Sequence, residues 1–140
     1  MTPRILIDTD VVLDVATDRK PFVAESKPVL VHVESDRAHG YLSAHSVTTL
    51  FFILRKLGGA ERTLSFLRGL LSHISVATEG HNDIGRALDS DLSDFEDAVQ
   101  YQCALSNACG VIVTRNTDDY PTGGLSVLTP REFIVTYGMR

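Results

Sequence analysis

Arg4-Ile5-Leu6-Ile7-Asp8-Thr9-Asp10 sets the reading of the whole chain. Ile5, Leu6 and Ile7 are apolar without alternation, which suits a strand covered on both faces at the centre of a parallel sheet. The run stops at two carboxylates, Asp8 and Asp10. In open α/β sheets chemistry gathers beyond the carboxyl ends of the strands. A carboxylate placed there costs folding energy unless something pairs with it. A divalent cation is one such partner; the backbone N–H groups of a following helix are another, since Asp is a common N-cap.

Outward from this strand, Val11–Val15 reads as the start of a short helix or loop and Asp18–Pro21 as a turn. Phe22–Ala38 reads as a helix kinked or restarted at Pro28. Gly40 stops it, and Tyr41–Ala44 reads as a second strand. His45–Leu57 is an amphipathic helix with Val47, Leu50, Phe51, Leu54 and Leu57 on one stripe. It is closed by Arg55, Lys56 and Gly58-Gly59. Ala60–Ser72 is another helix, with Leu64, Leu67, Leu70 and Leu71 inward. Ile74–Ala77 is a third strand and His81–Leu88 a short helix.

Ser93–Ala108 reads as a helix with Ser93 as N-cap, Glu96 closing a capping box, and Phe95, Val99, Cys103 and Ala104 toward the core. Asp94 and Asp97 share one face of its first turn. Carboxylates there also complement the helix dipole. Gly110–Thr114 is a fourth strand that ends in the polar cluster Arg115-Asn116-Thr117-Asp118-Asp119-Tyr120. Leu125–Leu128 is a short fifth strand, and Thr129 caps a last helix from Pro130 to Tyr137.

Strands alternating with helices predict an α/β fold: a three-layer α/β/α sandwich around a parallel sheet of four to five strands, in one domain over residues 1–140. Ile5–Ile7 and Val111–Thr114 are expected side by side, parallel and central. One edge of the sheet then gathers Asp8, the Asp119 loop and the start of the Ser93 helix. Acidic oxygens converging from distant segments suit a hard cation such as Mg2+. Such cations activate water and stabilise a departing phosphate oxygen.

A net charge of −5 over 140 residues excludes a surface that binds polyanions everywhere. Contact with nucleic acid would rest on a few cations, with Arg55, Lys56, Arg62 and Arg115 as candidates. Cys103 and Cys109 read as small buried apolar residues, not a disulfide or metal framework. No signal-peptide pattern and no apolar run of about 18 residues is found, so a cytoplasmic protein that does not enter the membrane is expected.

Ile7 to Asp14, Tyr41 to Lys56, Asp94-Phe95-Glu96-Asp97-Ala98, and Thr114-Arg115-Asn116 with Asp119-Tyr120 together resemble a PIN domain. The likeness runs over nearly the whole chain, in the order and spacing of the family. Each motif alone is weak, and the ordered set is fairly specific. It implies an endoribonuclease dependent on Mg2+ or Mn2+, of the VapC-like kind held by an antitoxin protein. A second copy of the chain is a further candidate partner. It implies Asp8, Asp97 and Asp119 as catalytic and metal-binding acids, with Asp94 as an extra acid of the most similar subgroup. Asp10, Thr49, Asn116 and Asp118 stand as secondary candidates. Many members have Asn where this chain has Asp10, and Thr49 stands where the family usually has Glu. A hydroxyl hydrogen-bonds but does not replace a charge.

Two other readings are weighed against this one. A PIN domain without activity would bind RNA or a partner protein only, as the Thr49 substitution suggests. Asp8-x-Asp10-x-Val12 after a strand also resembles the first motif of haloacid-dehalogenase-like phosphatases, with Asp8 as nucleophile. Against that, Lys20 and Lys27 fall too early, Lys56 ends its helix, and the acidic loop lacks Gly-Asp.

Overall fold

Strand β1 (Arg4–Ile7) lies in the middle of a five-stranded sheet, with β2 (His39–Ser43) and β3 (Ile74–Ala77) on one side and β4 (Val111–Val113) and β5 (Ser126–Leu128) on the other. Every neighbouring pair is parallel. The computed structural model describes residues 2–138. Ile5, Leu6 and Ile7 are fully buried and pair in register with Val111, Ile112 and Val113. The two continuous apolar runs therefore sit side by side at the centre, as their composition requires.

Helices α1 (Thr9–Ala16), α2 (Val23–Glu34), α3 (Ala44–Gly58), α4 (Ala60–Leu71), α5 (His81–Leu88), α6 (Phe95–Ser106) and α7 (Pro130–Tyr137) surround the sheet. Alternation along the strands sends their side chains to two separate cores. Ile5, Ile7, Val111 and Val113 meet Val11, Val12, Val29, Leu50, Leu67 and Phe133 on one face. Leu6 and Ile112 meet Cys103, Ala104 and Tyr120 on the other. The result is the expected three-layer sandwich. Both cysteines are free and buried, and burial pushes their thiols up to about 12 for Cys103 and about 11 for Cys109. No described helix is long and apolar enough to cross a membrane.

Several boundaries move. Helix α2 ends at Glu34, short of Ala38, because Asp36 adopts a left-handed φ of 60°. Pro28 lies inside it without ending it. Strand β2 begins at His39, and Gly40 is needed there, since a Cβ would stand 2.9 Å from Val33 Cγ1 on α2. The Ser93–Glu96 capping box does not form. Asp94 is the cap instead, accepting the Asp97 N–H at 3.0 Å, and the helix starts at Phe95. Asp and Ser cap about equally well, and Glu96 turns to His45, 3.6 Å away. Phe95, at the projecting first turn, is exposed, whereas Val99, Cys103 and Ala104 are buried as their spacing predicts. Leu57 and Leu64, assigned inward by periodicity, are 70% and 41% exposed.

Candidate active site

Asp8 follows the last residue of β1 and opens α1, so its carboxylate stands at the carboxyl edge of the sheet. Four donors meet it. Oδ1 accepts the Thr9 N–H at 2.7 Å and the Gln100 amide at 3.1 Å. Oδ2 accepts the Thr114 hydroxyl at 2.7 Å and lies 3.4 Å from the Tyr120 hydroxyl. The helix-cap role is thus real, and the same side chain lies at the centre of the candidate site. The donors come from α1, α6, the end of β4 and the loop after it, so the fold fixes this carboxylate from every side.

Asp97 comes in from the first turn of α6. The Tyr120 hydroxyl lies 3.4 Å from Asp97 Oδ1 as well, so one buried phenol spans the two carboxylates. Burial, and then the charges of Asp94, Asp8 and Asp119, raise the Asp97 carboxyl from the usual 3.8 to about 7. Asp10 is also raised to about 7, chiefly by burial and then by Asp8. Its Oδ2 accepts from Asn116 at 3.2 Å, and its Oδ1 is buried without a hydrogen-bond partner. Burial raises the Tyr120 phenol further, with the Asp8 and Asp97 charges adding to it. Asp118 and Asp119 lie on an exposed 3-10 turn, Thr117–Asp119, and Asp94 is exposed at its cap position.

The sequence-derived candidates therefore divide. Asp8, Asp10, Asp94, Asp97, Asn116 and Asp119 come together through the contacts and charge couplings above. Of the candidate cations, Arg115 comes near, its charge and its backbone acting on Asp10 to lower that carboxyl. Arg115 is taken by Asp14, a fully buried carboxylate one turn beyond Asp10, through Nε–Oδ2 at 2.9 Å and a terminal nitrogen to Oδ1 at 3.3 Å. Its guanidinium also stacks 4.0 Å from the Phe22 ring. Arg55, Lys56 and Arg62 are exposed at the far end of α3 and the start of α4. Arg55 lies about 14 Å along the helix from Ser46 at 1.5 Å per residue.

On α3, Ser46 is the residue that reaches the first acid's neighbourhood: its hydroxyl meets Thr9 at 2.5 Å and Ser43 at 3.1 Å. Thr49, one turn later, is partly buried. His45 is held by Glu79 through Nδ1 and faces Glu96 through Nε2. Gln100, Tyr120, Thr114 and Asp14 were not picked out from sequence for the contacts they make here. Gln100 had a signal: it is a polar residue three positions after Asp97, on a helix whose neighbouring Val99 and Cys103 are core.

An oxygen-only, anionic donor set is the kind a hard cation takes. The buried, partnerless oxygens Asp10 Oδ1 and Gln100 Oε1 beside Asp8 fit the same use. Among the described residues no three His, Cys, Asp or Glu groups form a ready-made cage. Mg2+ does not ask for one, since it usually takes one or two carboxylates and keeps several waters. The larger grooves lie elsewhere. One of about 410 Å³ runs between the α1 end, α3 and α4, lined by Thr17, Leu54, Leu57, Arg62 and Phe66.

Comparisons with known proteins bear on the fold and the family. The chain is 22% identical over 135 residues to "Ribonuclease VapC1" of Aquifex aeolicus (strain VF5), covering 93% of this chain and 92% of that one. Its fold matches a toxin–antitoxin complex from Klebsiella pneumoniae with a TM-score of 0.69 and 24% identity, over 91% of this chain and 98% of that one. It also matches DNA-bound VapBC from Salmonella typhimurium with a TM-score of 0.63 and 14% identity, over 93% and 99%. VapBC2 from Rickettsia felis, bound to a promoter DNA fragment, gives 0.62 and 11% identity, over 89% and 96%. Residues 4–118 match the family model described as PIN domain, well over half of the chain. This chain is a member of the PIN domain family.

Proposed function

We propose that this protein is an endoribonuclease that depends on Mg2+ or Mn2+ and is restrained by an antitoxin. The observation that carries the reading is the Asp8 carboxylate, fixed by four donors and close to Asp10 and Asp97, with the exposed acids Asp94 and Asp119 in turn close to Asp97. Asp8, Asp97 and Asp119 would hold the cation, with Asp94 beside them. When bound, the cation supplies acidification of a water and charge neutralisation at the departing phosphate oxygen. The chain's own part is orientation. Thr9, Gln100 and Thr114 lock Asp8, Tyr120 spans Asp8 and Asp97, and Asn116 positions Asp10. Charge repulsion and burial, seen in the raised Asp10 and Asp97 carboxyls, are what a cation relieves.

A protein partner has a surface to cover, because Phe52, Leu57 and Leu64 are exposed along α3 and α4. Exposed apolar residues on two adjoining helices form an interaction face where they join into one patch. The Klebsiella pneumoniae structure of the same fold is a toxin–antitoxin complex, which favours an antitoxin as occupant over a second copy of the chain.

The test is cleavage of a mixed-sequence RNA by the purified chain with EDTA, Mg2+ or Mn2+, beside Asp8→Asn. Cleavage that needs a cation and vanishes in the variant is the expected result. No cleavage under any condition, with RNA still bound, would favour the binding-only reading, for which Thr49 in place of a carboxylate is the specific observation. Membership of the PIN family leaves the phosphatase reading without support.

A further inference from the structure

Gln100 is a fully buried amide in the middle of the acid cluster, and the two ends of that amide are treated differently. Nε2 donates to Asp8 Oδ1 at 3.1 Å. Oε1 is just as shielded and has no hydrogen-bond partner. Native structures rarely leave a buried polar oxygen unpaired. The amide gains nothing by turning over, because that would set its carbonyl oxygen against the Asp8 carboxylate, two acceptors face to face. Asp8 therefore fixes Oε1 as a free acceptor. Asp97 lies three residues earlier on the same face of α6, and Tyr120 links Asp97 to Asp8. The free oxygen thus stands within the one part of the molecule where carboxylates from β1 and α6 meet. Helix α3 brings no carboxylate to this place, having Thr49 at the position in question.

We propose that Gln100 is a positioning residue of the cation site. Its N–H fixes Asp8 Oδ1, and its Oε1 accepts a hydrogen bond from the hydration shell of the bound cation. The assignment rests on the cation-dependent reading above. A hard cation held by few carboxylates keeps much of its water, and that water needs acceptors. An amide supplies one without adding to the repulsion already present among Asp8, Asp10 and Asp97.

The experiment is calorimetric titration of Mn2+ alone, then Mg2+ alone, into wild type, Gln100→Met and Gln100→Glu, with thermal melts of each in EDTA. Met keeps the volume and length and removes both hydrogen bonds. It is expected to weaken cation affinity about tenfold or more, the usual cost of losing a partner that orients a ligand. The EDTA melting temperature should not fall with it, since an unpaired buried oxygen leaves together with the amide. Glu is expected to bind the cation more tightly than wild type, to melt lower in EDTA and to recover when Mn2+ is added. Equal affinities in wild type and Gln100→Met overturn the assignment while leaving the cation site standing. So does a Gln100→Glu variant that binds no better than Gln100→Met. A variant whose lost affinity is matched by a lower EDTA melting temperature marks a purely structural role and also overturns it. If wild type itself takes up neither cation, the cation-dependent reading and the role of Gln100 fall together.

Discussion

Arg115 grips Asp14 at two points, 2.9 and 3.3 Å, and the carboxylate it grips is wholly buried. Ser26 adds a third hydrogen bond to Asp14 at 3.0 Å. The pair ties the start of the acidic loop after β4 to helix α1. Removing one partner leaves an uncompensated buried charge, so Arg115→Ala is expected to cost about 3–5 kcal/mol in urea denaturation. Arg115→Lys should restore only part of this, because an ammonium does not reproduce the two-point fork. A loss under 1 kcal/mol would show that the pair does not hold the loop.

Repulsion among the acids alone suggests that neutralising Asp8 stabilises the metal-free protein. The geometry reverses that for Asp8 and moves the effect to Asp97. Four donors converge on the Asp8 oxygens, and an Asn offers only one oxygen to them. Asp8→Asn should therefore abolish cleavage and also cost about 1.5–3 kcal/mol in EDTA, the range for hydrogen bonds to a charged group. Asp97 has only the long Tyr120 contact for its side chain and carries the raised carboxyl. Asp97→Asn should raise the melting temperature in EDTA and abolish the gain from Mn2+. A lower melting point for Asp97→Asn in EDTA would refute this account of the cluster.

His32 gives the fold an acid-sensitive point away from the site. It is buried on α2 with its ring edge-on to Phe133 at 5.5 Å. Burial, and then the charge of Arg37, lower its pKa below the usual 6.5. The unfolded chain then binds a proton more readily than the folded one, so this stability is present above 6.5 and is lost as pH falls through the folded value. His32→Gln, neutral throughout, should melt progressively closer to or above wild type as pH drops from 7 to 5. A constant difference across that range would mean the imidazole is not responsible.

On the proposed ribonuclease reading, Arg55, Lys56 and Arg62 would touch only RNA that extends well beyond the reacting phosphate. Neutralising them is expected to raise KM and leave kcat unchanged. Each lost phosphate contact should flatten log K against log[salt] by about 0.7–0.9 of a unit. An unaltered slope in the triple Gln variant would remove them from the RNA path.

The sheet was legible because Ile5–Ile7 and Val111–Val113 are continuous apolar runs, and such runs have few places to go. Asp8, Asp97 and Asp119 were legible through family-like spacing. Asp94 as a cap was less so, since Ser93 and Asp94 are near-equal candidates and only the packing of Glu96 against His45 separates them. The roles of Gln100, Tyr120 and Asp14 were not legible. Each depends on which residue stands opposite across the fold, at separations of 92, 112 and 101 residues. Local pattern does not carry that information. Leu57 and Leu64 mislead for the related reason that periodicity finds an apolar stripe without saying what will cover it.

Because Asp8 is held from four elements at once, mutational routes to a silenced protein are unequal. Changes at Asp119, which is exposed and caps no helix, should yield inert but folded chains that, on the proposed reading, still occupy an antitoxin. Changes at Asp8 or Arg115 should also lower the amount of folded chain, because they remove hydrogen bonds that hold the fold. In a population selected to escape this activity, survivors that retain the protein in full should carry their lesions at Asp119, and survivors with less of it should carry them at Asp8 or Arg115.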